Sequence, residues 1–328
     1  MKIVLKGSQS AGNAARLARY LNAPHELALL NGSEPQEQAA RALAEADIAV
    51  AMIWRAPMPP TPRLGLLLLP GAGLDWIDFA LLPESCRVAN VFEHEIAISE
   101  FVMLAMLEWS IRLGELNRVF KGLDWRHSLM RMGPTHAELA GKTVAVIGFG
   151  HIGQAVAGRA RAFDMRVVAI TRSPPARPDL ADAVYPTEQL DQALPECDFL
   201  VIACPLTPAT RGLIDRARLS RMKLSSVVIN VGRGEVVVEE DLYDALRARR
   251  IGGAVLDVWY RYPGAEDPDQ MPSRFPFHQL DNVFMTPHVS AWTEGMLDRR
   301  WRAIADNIER YIRGEALRHL VARPDPAF

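Results

Sequence analysis

The chain has 328 residues, 37 Lys and Arg against 39 Asp and Glu for a net charge of −2, and is 49% hydrophobic. That balance fits a globular protein of roughly two domains. It supplies no basic footprint for gathering nucleic acid, and no apolar run has the length of a membrane span.

Residues 1–6 read as a short strand cut off by charge and glycine, without the apolar core of a signal peptide. Apolar runs at 3–5, 27–30, 48–53, 66–69 and 88–91 alternate with helix-like stretches such as 35–46. Such alternation predicts a parallel sheet wrapped by helices. Residues 98–120 read as one long helix rich in Leu, Met and Ala, and the polar, glycine-bearing stretch 121–141 reads as a domain junction, in which His127, Met130 and Met132 are packing or surface residues. A second set of strands is expected at 144–147, 166–170, 199–203, 227–231, 254–258 and 283–285. Between them, Glu239, Glu240 and Asp241 open a helix that Arg247, Arg249 and Arg250 close, with Gly252 just beyond, as the helix dipole and C-terminal capping favour. A last amphipathic helix at 294–313 is too small a remnant to fold alone, and its partner is not legible from the sequence. Cys86, Cys197 and Cys204 match neither a metal-ligand pattern nor an even disulfide set, and read as buried thiols in a reducing, cytoplasmic compartment.

The stretch with most chemical content is Gly148-Phe149-Gly150-His151-Ile152-Gly153, placed where a strand ends and a helix begins. In that setting Gly148 permits the tight turn, Gly150 lets backbone approach a pyrophosphate, and Gly153 allows close helix packing. The free amides and positive dipole end of the new helix favour phosphate. Ligands of open parallel sheets bind beyond the C-terminal strand ends. Two residues there stand out: Arg233, between glycines and suited to a bidentate grip on a carboxylate, and His288, in Thr286-Pro287-His288 after the last strand.

With these motifs in order, the chain resembles the D-isomer-specific 2-hydroxyacid dehydrogenases. The likeness is carried by Gly71-Ala72-Gly73-Leu74-Asp75, the glycine turn, Pro205-Leu206-Thr207-Pro208 with Thr210 and Gly212, Asn230 to Gly234, Leu256-Asp257-Val258 and Thr286-Pro287-His288. The resemblance implies an α/β fold of two doubly wound parallel-sheet domains. A Rossmann cofactor domain, 98–289, would be inserted into a discontinuous flavodoxin-like substrate domain, 1–97 plus 290–328, with a catalytic cleft between them and a homodimer formed through the cofactor domains. It further implies hydride transfer from reduced nicotinamide to a 2-oxo acid, with His288 protonating the oxygen and Arg233 holding the substrate. The amides of Gly71, Ala72 and Gly73 would bind the substrate carboxylate. Cys204, Pro205, Thr210, Val231, Gly232 and Asp257 would meet the cofactor, Asp257 at its nicotinamide end.

Two departures from the family stand out. Its third catalytic residue is a glutamate five positions after the aspartate of the Leu-Asp-Val motif; here that place holds Tyr262, followed by Pro263. A hydroxyl orients an imidazole but adds no charge. His288 is therefore expected to protonate less readily, so that reduction favours lower pH, unless Glu266 or Asp267 stands in for the missing carboxylate. The second departure lies at Thr171-Arg172-Ser173, where NAD-using members place an acidic residue. Arg172 and two hydroxyls suit a 2′-phosphate, favouring NADP(H) over NAD(H).

Trp54, Arg55 and Trp292 are candidates to line the substrate site, suiting small acids such as glyoxylate or hydroxypyruvate; His94 is read as outside it. The rival readings are a formate-like small-anion dehydrogenase and a catalytically silent NAD(P)-sensing protein.

Overall fold

The computed structural model describes residues 1–264 and 267–323 and divides into two compact units, Met1–His94 with Thr293–Phe328, and Glu95–Trp292. In the first, β1 (Lys2–Lys6), β2 (Glu26–Leu30), β3 (Ile48–Ala51), β4 (Leu66–Leu69) and β5 (Arg87–Asn90) form a parallel sheet in the order β2-β1-β3-β4-β5. That is the doubly wound, flavodoxin-like order. Alternation along β1 sorts its two faces: Ile3 and Leu5 meet Met296, Trp301, Ile304 and Ile308 of the helix Glu294–Ile312, while Val4 lies with Leu43 of the helix Gln36–Ala44. The terminal amphipathic helix thus finds its partner in the first unit, by covering the apolar face that the early strands leave open.

The second unit holds β6 (Thr143–Ile147), β7 (Arg166–Ile170), β8 (Ala183–Tyr185), β9 (Phe199–Ile202), β10 (Val227–Asn230), β11 (Gly253–Leu256) and β12 (Val283–Met285), all parallel, in the order β12-β11-β10-β9-β6-β7-β8. The order reverses between β6 and β9, which makes the C-terminal end of β6 the switch point where such sheets bind ligands. Central strands β6, β9, β10 and β11 are buried throughout, so their sequences are continuous apolar runs rather than alternating ones.

Three local expectations change. The helix read at 98–120 is two, Glu95–Ile111 and Leu113–Lys121, parted by Arg112 in the left-handed conformation at φ 58°. β8 is too short a pattern to be read from sequence; it is a three-residue edge strand, Ala-Val-Tyr, against β7. Gly252 does not cap the helix Glu239–Arg247, since Arg249 takes the left-handed turn at φ 53°. Gly252 is instead required by close approach: a Cβ there would lie 2.7 Å from the Ser225 carbonyl oxygen.

Candidate active site

The glycine turn sits at the switch point, between β6 and the helix His151–Arg161. Gly148 has φ 90°, and a Cβ on it would stand 2.7 Å from the backbone of Cys204. A Cβ on Gly153 would lie 2.2 Å from the Gly148 carbonyl oxygen, so the helix closes on the turn only because no side chain intervenes. Gly150 differs: it caps the helix in an extended conformation, and a Cβ there would meet nothing within 4 Å. Its lack of a side chain serves no packing need, and the space over the helix amides fits a pyrophosphate. The residues present therefore fit a dinucleotide.

The remaining cofactor candidates line the neighbouring strand ends, with several differences of role. Cys204 follows β9 with its backbone held between two glycines, because a Cβ on Gly232 would lie 2.9 Å from the Cys204 carbonyl oxygen. Burial pushes its thiol up to about 11, so Cys204 offers backbone rather than a reactive sulfur. The Thr210 hydroxyl accepts from the Thr207 amide (2.8 Å) and donates to the Pro205 carbonyl (2.7 Å). These two bonds close the loop from Pro205 to Thr210. At the end of β7, Arg172 is exposed and makes no hydrogen bond or ion pair with the described residues, while the Thr171 hydroxyl donates to the Ser173 carbonyl at 2.9 Å and shapes the turn.

Arg233, Asp257, Tyr262 and His288 follow the adjacent strands β10, β11 and β12. The Tyr262 hydroxyl lies 3.0 Å from His288 Nδ1 and accepts the Trp259 amide N–H at 3.1 Å. The Trp259 indole N–H donates to the Thr286 carbonyl at 2.9 Å, tying the tyrosine loop to the histidine loop. His288 itself has φ 58°, a conformation that L-residues adopt at a cost. Asp257 holds it there. Its fully buried carboxylate accepts from the Thr286 hydroxyl (2.6 Å) and the amides of Val289 (2.8 Å) and Ser290 (3.0 Å). Asp257, expected at the nicotinamide end, is thus a positioning residue whose oxygens are committed to the turn carrying His288.

Surrounding protein lowers the His288 pKa from its usual value; Asp257 opposes that and Arg233 adds to it. Burial raises the Tyr262 phenol, while the Trp259 amide and Arg233 pull it down and Asp257 and Glu235 push it up. The Arg233 charge therefore acts on both groups. Its backbone is fixed by Asn230, whose side chain donates to the Arg233 carbonyl at 2.9 Å and accepts from the Gly232 amide at 3.1 Å. Gly234 then packs against the Trp259 backbone, where a Cβ would meet its carbonyl oxygen at 2.5 Å. Val231 is buried and donates its amide to the Ile202 carbonyl at 3.2 Å. Asp267 makes no hydrogen bond to His288, and Glu266 lies outside the described residues.

In the first unit, the loop after β4 turns its carbonyls inward: Gly71 O accepts from the Val91 amide (3.4 Å) and Ala72 O from the Asn90 side chain (2.9 Å). The amides of Gly71, Ala72 and Gly73 have no hydrogen-bond partner among the described residues, leaving three donors for an anion. Arg55 donates to the Asp75 carbonyl and so belongs to this loop cluster. Trp54 does not line a site. Its side chain is fully buried among Ala49, Leu67, Leu69 and Val88, because the alternation that turns Ala49 and Ala51 to that face breaks after β3, leaving Ile53 outward and Trp54 inward. Trp292 is exposed, four residues beyond His288. Sequence reasoning missed Trp259 and the Gly234 contact; their roles arise from pairings that no local pattern encodes.

Among the described residues, no cluster could hold a metal ion, and no helix is long and apolar enough to cross a membrane.

Residues 103–290 match the family model for the D-isomer specific 2-hydroxyacid dehydrogenase, NAD binding domain. The chain is similar to the glyoxylate reductase of Thermococcus onnurineus, 34% identical over 275 residues that cover 80% of this chain and 77% of that one. It is 29% identical over 296 residues to the D-3-phosphoglycerate dehydrogenase of Methanocaldococcus jannaschii, covering 88% of this chain and 54% of that longer one, about half of its length. A solved structure of the NADPH-dependent glyoxylate/hydroxypyruvate reductase of Sinorhizobium meliloti, in complex with NADP and sulfate, is 28% identical, with a TM-score of 0.76 over 98% of this chain and 97% of that one.

Proposed function

The chain belongs to the D-isomer specific 2-hydroxyacid dehydrogenase family, and from that premise we propose that it reduces a small 2-oxo acid, such as glyoxylate or hydroxypyruvate, to the 2-hydroxy acid with NADPH. The observation that carries the reading is the union of Arg233, Tyr262 and His288 at adjacent strand ends, in the same unit as the glycine turn. When bound, the reduced nicotinamide supplies the hydride. The Arg233 guanidinium grips and polarises the substrate through positioning and charge stabilisation. His288 directs Nε2 at the carbonyl oxygen, since its Nδ1 is engaged by Tyr262.

NADPH is favoured over NADH because Arg172, unengaged among the described residues, stands where a carboxylate would repel the 2′-phosphate. A homodimer is supported by the apolar surface at 113–132, where Leu113, Leu123, Leu129, Met130 and Met132 are all strongly exposed. Free, buried cysteines suit a reducing, cytoplasmic setting. The test is purified protein with NADPH and a panel of 2-oxo acids. Turnover supports the reductase; tight cofactor binding without turnover supports the sensing protein; turnover confined to formate with oxidised cofactor supports the small-anion dehydrogenase.

A further inference from the structure

Resting on the reductase reading, we propose that Tyr262 is a second proton source for the reduction, feeding His288 at Nδ1 as Nε2 delivers its own proton to the substrate oxygen. The geometry fixes the direction of one bond and the distance of the other. An amide N–H only donates, so the Tyr262 oxygen accepts from Trp259 at 3.1 Å. That bond leaves the phenolic proton free, and in the proposed relay it lies on the line to the neighbour 3.0 Å away, Nδ1 of His288. Neutral His288 is held as the tautomer with its proton on Nε2, the nitrogen left to face substrate. A carboxylate in this position would accept from Nδ1–H and could give nothing back.

The step balances. Hydride from the reduced nicotinamide, which is thereby oxidised, forms the new C–H bond as the carbonyl π bond breaks. The Nε2–H bond breaks and its proton forms the O–H bond of the 2-hydroxy acid. The Tyr262 O–H bond breaks and its proton passes to Nδ1, which leaves the imidazole neutral and a phenolate on Tyr262. Water later returns the proton to the phenolate. An alkoxide is more basic than a phenolate, so the transfer runs downhill. The phenolate is formed against the amide of Trp259 and within the field of Arg233; Asp257 and Glu235 oppose it.

The relay replaces the expectation that reduction fades as pH rises past the histidine. Were imidazolium the sole acid, a pKa below the ordinary value of about 6.5 would leave His288 at most about 3% protonated at pH 8. With the relay, the single-turnover hydride-transfer rate stays level through pH 8 and falls only as the phenol ionises. Tyr262→Phe removes the source and confines the rate to acid, with a drop of at least about 30-fold between its low-pH plateau and pH 8.

The second readout is the nitrogen NMR of the apo protein, labelled in histidine and assigned against His288→Gln. Nδ1 of His288 is expected as an acceptor and Nε2 as N–H at pH 8, with the preference for Nε2–H reduced in Tyr262→Phe. Wild-type and Tyr262→Phe pH profiles that coincide, or a proton found on Nδ1 in the neutral ring, would overturn the relay alone. Absence of turnover with every 2-oxo acid would overturn the reductase reading itself. Should Tyr262→Phe fail to fold, a proton inventory on the wild-type protein decides: two protons in flight support the relay, and one overturns it.

Discussion

Replacing Asp257 by Asn changes one atom in the group that holds the His288 turn, and the structure sets the size of the effect. The carboxylate is fully buried and accepts three hydrogen bonds, from Thr286, Val289 and Ser290. The asparagine oxygen can keep the Thr286 and Val289 bonds, but its NH2 group then faces the Ser290 amide donor to donor. Losing a charge-assisted bond and stranding a buried amide costs about 2–3 kcal/mol. That penalty falls on a backbone already held at φ 58°, so the turn should open locally before the sheet does. Amide exchange at Val289 and Ser290 is expected to accelerate about 30- to 150-fold, with amides of β6 and β10 unchanged. Removing the charge also takes away the influence that raises His288, so its titration moves further to acid. Unchanged exchange at both amides, or a His288 titration that does not move, would refute the assignment of Asp257 as the residue that holds the histidine.

Gly150 and Gly148 separate binding from folding. Gly150→Val should retain wild-type stability while NADPH affinity falls by at least tenfold, since its side chain enters open space over the helix amides; Gly148→Val should destabilise the fold, because φ is 90° and the Cys204 backbone is 2.7 Å away. Arg172→Glu is expected to reverse cofactor choice, lowering kcat/KM with NADPH while leaving NADH use little changed; equal losses with both would count against a 2′-phosphate contact. Tyr262→Glu should raise the His288 pKa by about one unit or more through an adjacent carboxylate, read by NMR titration. Glu239 accepts from the Ser273 hydroxyl, the Arg274 amide and the Arg274 guanidinium, each at 2.8 Å. Burial alone would raise its carboxyl, but those bonds hold it below the usual glutamate value. The stability they give is therefore full above about pH 4.5 and lost as pH falls through the lowered pKa; Glu239→Gln should cost about 1–3 kcal/mol at pH 7 and progressively less in acid, as measured by denaturant unfolding.

Much of the fold is legible because parallel strands buried on both faces must be apolar runs, and because a glycine turn between strand and helix has few other uses. The same logic found Arg233 and His288 at strand ends, and simple comparison with the family pattern exposed Tyr262. What the sequence hid depends on partners far along the chain. The burial of Trp54 follows from which face of the first sheet it lands on. The commitment of Asp257 to the amides of Val289 and Ser290, and of the Trp259 indole to Thr286, spans 27 to 33 residues and leaves no periodic trace. The break at Arg112 eludes pattern reading for another reason: an arginine in the left-handed conformation looks like any helical arginine in sequence.

The central claim is that Arg233 and His288 act on one bound 2-oxo acid without holding the cofactor. Single-turnover oxidation of bound NADPH by glyoxylate and hydroxypyruvate, in wild type, Arg233→Gln and His288→Gln, tests it directly when paired with NADPH affinity measured by fluorescence. Loss of hydride transfer by at least about a hundredfold in each variant, with affinity for NADPH retained, is the predicted result. Hydride transfer that survives in either variant, or a wild-type protein that never oxidises NADPH with any 2-oxo acid, would contradict the account.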